Sequence, residues 1–409
     1  MHQPAITNKK TISENYTFTI YACFIGYIVQ AIINNFAPLL FLTFQQQYQI
    51  DLTQITLLVT VNFAVQLLVD LVSVKLVDFI GYRITMLIAH AATAAGLVLL
   101  PLLPTLLLDP FVGLLLAVVV YAVGGGLLEV AVSPIMQACP TDNKEKAMSM
   151  LHSFYCWGHV GVVLISTLFF FLFGLSNWRI LACIWALVPL VNGILFMKVP
   201  IASLLEDGSK GLSLRNLVKE KLFWLFMVMM ICAGASEQAV SQWASAFAEK
   251  GLGVSKTLGD LAGPAAFAFC MGLSRLLYGK MGERINLNRM MIGSGLLCIV
   301  SYLCIALVPN PALGLIACAA CGFSVGIMWP GTFSKAAGEI GGGGTAMFAL
   351  LALGGDIGCS GGPTLAGFVS GRFGDSIQMG ILAAIVFPIL LVVGMLILIR
   401  FARHKPSSL

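Results

Sequence analysis

About twelve apolar runs, each close to the roughly 20 residues that a helix needs to cross a bilayer, follow one another with short connections. That pattern leaves little choice of fold. Within a membrane every backbone N–H and C=O must be paired inside the protein, so consecutive spans of this length are helices. The composition agrees: 59% of the 409 residues are hydrophobic and only 10% are charged. A soluble globular chain does not carry such a ratio. The expectation is an all-α membrane protein with about twelve transmembrane helices and no room for a soluble catalytic domain.

The runs fall roughly at 17–44, 53–79, 83–108, 111–138, 146–174, 178–199, 222–248, 257–281, 286–308, 311–338, 344–371 and 375–402. The long connection, IASLLEDGSKGLSLRNLVKEK, divides them into a six-helix half at 1–199, a cytoplasmic loop at 200–221 and a second six-helix half at 222–409. Basic residues decide orientation. Lys9, Lys10, Arg83, Lys144, Lys146, the loop cluster, Lys280, Arg284, Arg289, Arg403 and Lys405 collect on one side. The other side receives only Arg179, Lys250, Lys256 and Arg372. Both termini are therefore predicted to be cytoplasmic, in the cell (inner) membrane. The N-terminal segment is polar to about Thr17 without a cleavage pattern, so the first apolar run is read as a retained span. The net charge of +5 belongs to loops and is no nucleic-acid patch. The eleven cysteines lie mostly within apolar runs, and no CxxC pair has zinc-like placement in a loop. No metal, cofactor or disulfide framework is expected, and the chain is expected to work as a monomer in the bilayer.

The halves repeat. Gly126 precedes Pro134 by eight residues in the fourth run, as Gly322 precedes Pro330 in the tenth. LVDFIGYR joins runs two and three, and LYGKMGER joins runs eight and nine. Runs five and eleven begin at Ala147-Met148 and Ala346-Met347. Three matches in one order predict two pseudo-symmetric six-helix bundles, with a solute site near the membrane midplane between them.

Asp70, Glu129, Glu237 and Asp356 interrupt apolar runs, Glu129 most plainly in VYAVGGGLLEVAVSPIMQ. A charge at bilayer depth costs roughly 2.5–3.5 kcal/mol on insertion scales, so such acids face a bundle interior or a wet cavity. Structural pairing is the plainer reading for each. At 1.5 Å of rise per residue, Glu129 and Tyr155 both lie roughly 13–15 Å from the cytoplasmic boundary. Glu129 is then within reach of Tyr155 or His159. Desolvation favours the neutral form of a carboxyl group, so a proton carried there would make closure of the cavity easier. Asn62, Gln66 and Asp70 recur at steps of four on one face of the second run. They are either a polar stripe toward the interior or hydrogen bonds that hold the bundle together. In the seventh run, Glu237, Gln238, Gln242 and Trp243 combine carboxylate, amide and indole, which suit sugar hydroxyls and a ring face. Trp157 and Trp329 extend that set. His152 and His159 are candidates to titrate near neutrality or to serve as structural hydrogen-bonding groups. The sequence places no Arg or Lys at mid-membrane, which points to a neutral or cationic solute rather than an anion.

Asp78, Gly81 and Arg83 match the loop signature of the major facilitator superfamily, with Val74, Phe79 and Tyr82 at its other positions. The chain resembles that superfamily over nearly its whole length. The resemblance implies gates at the helix ends, for which Asp78, Arg83, Arg275 and Arg284 are the candidates; anchoring of the interface is the alternative for Arg83. Within the superfamily, GGLLEVAVSP, LHSFYCWG, IMWPGTFSKAAGEIG and INNFAP resemble segments of the fucose–galactose–proton symporter group. That likeness implies a proton-coupling role for Glu129. It implies a solute site at Asn34, Asn35, His152 and Tyr155. The group's acid after the Asn pair is replaced here by Ala37-Pro38, and Asp70 or Asp356 is the candidate substitute.

Three functions remain in play. The first is a proton-coupled importer of a neutral polar solute, above all a sugar. The second is an exporter of cationic or amphipathic compounds, compatible with four buried acids. The third is a receptor that binds without flux. An enzyme is disfavoured, since no nucleophile–base pair, phosphate loop or metal set is present; GEIGGGG at 338–344 follows no strand and carries no lysine.

Overall fold

The computed structural model describes residues 12, 15–140, 144–201, 214–281, 286–340 and 344–403, and they are almost wholly helical. In chain order the long spans are α1 (Tyr16–Tyr48), α2 (Leu52–Ile80), α3 (Tyr82–Leu106), α4 (Pro110–Ala138), α5 (Lys144–Phe173) and α6 (Trp178–Lys198). The second set is α7 (Lys221–Ser241), α8 (Lys256–Tyr278), α9 (Leu287–Leu307), α10 (Pro311–Glu339), α11 (Gly344–Arg372) and α12 (Ile377–Phe401). Their starts carry local signals. Asp51 and Gln54 close a capping box at α2, while Asp109, Asn286 and Asn310 accept backbone N–H groups at α4, α9 and α10. Pro110 and Pro311 occupy first-turn positions, where a missing N–H is harmless.

Eleven of these helices, among the described residues, are long and apolar enough to span a membrane unaided. The twelfth, α11, is diluted by glycine, serine and Asp356, and it owes its place to packing. A Cβ on Gly358 would lie 2.0 Å from the Ile231 carbonyl oxygen of α7, and one on Gly362 would lie 2.4 Å from that of Ala235. Small residues at steps of four thus let α7 and α11 meet backbone to backbone.

The contacts make the pseudo-symmetry explicit. In the first half α2 packs on α4, α3 on α4 and α6, and α1 on α5; in the second, α8 packs on α10, α9 on α10 and α12, and α7 on α11. The inter-half pairs α2–α11 and α5–α8 exchange under the same operation. The repeated glycines explain part of this. Gly126 lets α4 approach Val69 and Gln66 of α2, and Gly322 lets α10 approach Phe267 of α8.

The runs are less continuous than their hydropathy implies. α1 is broken by the 3₁₀ turn Ala37–Leu40 at Pro38, α8 by a π segment Leu261–Ala265 at Pro264, and α10 just before Met328–Glu339 at Pro330. Proline lacks the N–H that a continuous helix requires. Taking the side of the chain termini as near, the halves are tied on the far side. Thr60 Oγ1 and Thr364 Oγ1 lie 2.6 Å apart, and Gln45 and Lys250 both donate to Asp375, at 3.4 and 3.1 Å. Thr167 of α5 reaches the buried Asp260 of α8, which Lys256 pairs at 3.1 Å.

The gate residues divide. Arg83 donates to the carbonyls of Phe196, Met197 and Val199, at 2.6, 3.0 and 2.9 Å. It caps the C-terminal end of α6, the anchoring alternative, where free carbonyls and the helix dipole favour a cation. The Asp78 side chain, Arg284, most of the 200–221 loop and residues 341–343 lie outside the described residues.

Candidate functional site

Between the halves lies a cavity of about 400 Å³. Its walls come from eight helices, α1, α2, α4, α5, α7, α8, α10 and α11, so the helices expected only to gate also line it. Tyr278 and Phe333 stand on its near side, while the far side is closed by the ties between the halves.

Two prolines prepare its polar groups. Pro38 cannot donate to the carbonyl of Asn34, four residues earlier, and Gln242 Nε2 of the opposite half fills that role at 3.0 Å. Pro330 likewise leaves the carbonyl of Gly326 free, and Arg275 Nε donates to it at 3.3 Å. Broken helices are tolerated at membrane depth only where such partners exist. The Ala37-Pro38 departure from the symporter pattern thus removes an acid and supplies a bridge between the halves.

From these anchors an unbroken hydrogen-bonded line crosses the cavity. Gln30 Nε2 donates to Glu129 Oε2 at 3.3 Å and to Gln66 Oε1 at 2.8 Å. Gln66 Nε2 donates to Asn34 Oδ1 at 3.0 Å, and Asn62 Nδ2 donates to the same oxygen at 3.1 Å. Beyond the Asn34 carbonyl, Gln242 Nε2 donates to Gln238 Oε1 at 3.1 Å, and Gln238 Nε2 to Glu237 Oε1 at 3.3 Å. Arg275 closes the line on Glu237 Oε2 at 3.3 Å. Its other terminal nitrogen sits 3.1 Å from Cys156 Sγ.

Arg275 corrects the reading that the core has no central base. Its side chain is 17% exposed, lines the cavity and pairs with a carboxylate there rather than gating a helix end. Its long side chain carries the charge from α8, which packs on α10, to Glu237 of α7, a reach that residue counting from a helix end does not capture. Among the cavity-lining residues, Glu129 of one half and Asp356 of the other have no ion-pair partner among the described residues, and Asp70 of α2 lies off the wall. Asp70 Oδ1 is buried and has no hydrogen-bond partner.

The candidates separate by placement. Asn34, Gln66, Glu129, His152, Tyr155, Glu237, Gln238, Arg275, Trp329 and Asp356 line the cavity. Trp329 lies against Gly355 of α11, where a Cβ would be 2.1 Å from the ring. Seven solute- or proton-site candidates are not among its lining residues. Trp243 is wholly buried, donates to the Pro363 carbonyl at 3.1 Å and packs on Phe41, so it fills core rather than a solute wall. Asn35 turns back on the Ala31 carbonyl at 2.9 Å, and its contact with the Tyr155 hydroxyl is long, at 3.5 Å. Asn62 and Gln242 stand behind Asn34 as supports. His159 is buried away from the cavity, and Asp70 is not on its wall. Trp157 packs across the halves on Phe269. His90 and Asn192, polar residues of the peripheral helices, bond to each other at 2.8 Å and, through Asn192, to the Ala22 carbonyl. They hold α3, α6 and α1 together.

Sequence reading missed Gln30, Tyr27 and Cys359, all on the cavity wall. Gln30 was detectable, since it precedes Asn34 by one helical turn. Tyr27, bonded to Ser133 Oγ at 3.0 Å and edge-on to His152, extends the same face by another step.

Residues 22–363 match the family described as Major Facilitator Superfamily. No curated protein sequence matches the chain. Several solved structures share its fold. A bacterial homolog to the human lysosomal transporter Spinster, inward-facing and unoccupied, superposes with a TM-score of 0.76 at 15% identity, covering 96% of this chain and 99% of that one. The nucleoside transporter NupG gives 0.74 at 11% identity, covering 93% and 99%. The E. coli fucose:proton symporter FucP gives 0.64 at 17% identity, covering 93% and 98%, and its outward conformation gives 0.63. At such identities the likeness is one of fold.

Proposed function

The chain belongs to the major facilitator superfamily, and we propose that it carries a small polar solute, a sugar as the leading class, across the cell (inner) membrane by alternating access coupled to protons. The observation that carries this reading is the line of side chains from Glu129 to Arg275, which joins the two halves through amides across a solute-sized cavity. Amides paired in series offer both donors and acceptors to hydroxyl groups, and Trp329 offers a ring face. The cavity volume falls in the range of small-molecule sites.

In this reading Glu129 is the proton-coupling acid, with Asp356 and Asp70 as its neighbours across the halves. A proton on Glu129 removes a buried charge, so the halves can close over a loaded cavity at lower cost. The ties that close the far side, Thr60 to Thr364 and Gln45 and Lys250 to Asp375, support a state open to the near side. With both termini cytoplasmic, that side is the cytoplasm. The protein is read as a monomer and not as an enzyme, and the units 1–199, 200–221 and 222–409 are its bundle, loop and bundle.

Uptake of labelled sugars into proteoliposomes tests the proposal. Accumulation driven by an imposed pH gradient, abolished by an uncoupler and by Glu129→Gln, is the expected result. Flux indifferent to both removes the coupling. A second reading, export of cationic compounds, draws on the unpaired acids; resistance on overexpression without sugar uptake favours it.

A further inference from the structure

We infer that the acid-rich side of the cavity receives a protonated amine, so that the preferred solute is a polyhydroxylated molecule carrying one ammonium group. The inference rests on the preceding reading of the cavity as a solute site and narrows its class.

The first observation is charge. Glu129, Glu237 and Asp356 line the cavity with one guanidinium, that of Arg275. Arg275 is already bonded to Glu237, to Cys156 and to the Gly326 carbonyl. Three carboxyl groups against one guanidinium leave two, Glu129 and Asp356, without a counter-charge among the described residues. Buried carboxylates require a proton or a cation.

The second observation is an acceptor without a donor. Gln30 is 6% exposed, and its Oε1 has no hydrogen-bond partner. Its orientation is settled by its surroundings: Nε2 faces Glu129 Oε2 and Gln66 Oε1, both acceptors, so a flipped amide would set oxygen against oxygen. A buried carbonyl oxygen thus belongs to the same cavity-lining amide that donates to Glu129, and it has no hydrogen-bond partner among the described residues. Asp70 Oδ1 stands unpaired behind it.

The nearby donors do not answer this need. Tyr27 and Ser133 hydroxyls bond to each other at 3.0 Å. The titratable groups that share the cavity with Glu129 are Tyr27 of α1, His152 and Tyr155 of α5, Glu237 of α7, Arg275 and Tyr278 of α8, and Asp356 and Cys359 of α11, with Asp70 of α2 near Glu129 but off the wall. A proton on Glu129 neutralises one carboxyl and satisfies no second acceptor. An ammonium group brings three hydrogens and a charge, which match the oxygens of Glu129 and Asp356 together. The hydroxyls of the same molecule then fall to Asn34, Gln66 and Gln238, with Trp329 beside them. Proton and ammonium would compete for the same two carboxyl groups.

Matched pairs that differ only in the amine test this. Binding of glucosamine against glucose, and of galactosamine against galactose, is measured by calorimetry on the purified full chain at about pH 6.5, below the usual amino pKa. The N-acetylated sugars serve as uncharged controls of similar size. Each amino sugar is expected to bind at least about tenfold tighter than its partner, the effect of one hydrogen bond to a charged group. In Glu129→Gln and in Asp356→Asn that ratio falls toward one; melting temperature and elution profile establish that each variant is folded. The wild-type ratio decides where a variant is unfolded or binds neither sugar. Equal or tighter binding of the neutral sugars overturns the inference and leaves the transporter reading standing. An amine preference that persists in both variants overturns the assigned site. Binding of no sugar, or of only a lipophilic cation such as tetraphenylphosphonium, overturns both.

Discussion

The two walls of the cavity share a fold and differ in electrostatics. On the N-terminal wall, Glu129 is held by an amide, Gln30, and faces Asp356 with no base at hand. On the C-terminal wall, Glu237 is 7% exposed and bonded to Arg275. A carboxylate already neutralised by a guanidinium has little to gain from a proton or a cation, whereas one held only by an amide has much. Pseudo-symmetric packing therefore yields two unlike acids, one suited to exchange charge and one suited to position the other half's partners.

That contrast can be broken in several ways. The largest effect is expected from Glu129→Gln: gradient-driven accumulation disappears, while exchange of labelled for unlabelled solute continues at a reduced rate. Loss of both to the same degree would mean that Glu129 holds the solute site together and nothing more. Next comes Arg275→Met, which strands Glu237. Breaking one side of a buried pair costs about 3 kcal/mol, read as a fall in melting temperature in detergent, and Glu237→Leu in the same chain should recover most of it. A double variant no more stable than the single one would show that Arg275 acts through Cys156 and Gly326 instead.

Packing sharpens the comparison. Gly358→Ala drives a Cβ to within 2.0 Å of the Ile231 carbonyl, backbone that has no room to give. Gly158→Ala, at the corresponding α1–α5 contact, meets the Ala31 and Ile28 carbons at 3.0 and 3.1 Å. The first should cost about 2 kcal/mol and the second less than about 1 kcal/mol, measured as thermal stability. Gln30→Leu should weaken solute binding about tenfold, because it deletes one neutral and one charged hydrogen bond and leaves Glu129 and Gln66 short of a donor. Binding unchanged by that substitution would place the solute away from the N-terminal wall. The smallest change is expected at Lys250→Ala. Its pair with Asp375 is about a third exposed on both sides, so its loss should shift stability by less than about 0.5 kcal/mol.

Much of the fold was legible because lipid imposes a one-dimensional rule. Helix number and the two-half repeat follow from run length and from Gly126/Pro134 against Gly322/Pro330. The acids were legible for the same reason, as exceptions to that rule. Arg275 was not, since it stands only a short way into its run when counted from the near end, and its guanidinium reaches the cavity because its long side chain extends past α10 to Glu237 of α7. Trp243 misled in the other direction: an indole beside amides looks like a sugar platform until Phe41 and Pro363 are seen to enclose it.

By itself, then, the sequence determined that the chain lies in a membrane, as paired bundles of helices with carboxyl groups too costly to be there without a use. Tertiary structure alone decided which of those groups share a cavity, which amide stands between them, and which carbonyls freed by Pro38 and Pro330 are filled by Gln242 and Arg275. The physical reason is distance along the chain. Hydropathy and helix period act over tens of residues, whereas Gln242 reaches Asn34 across 208 residues of sequence and Gln30 reaches Glu129 across 99. Only packing selects partners so far apart.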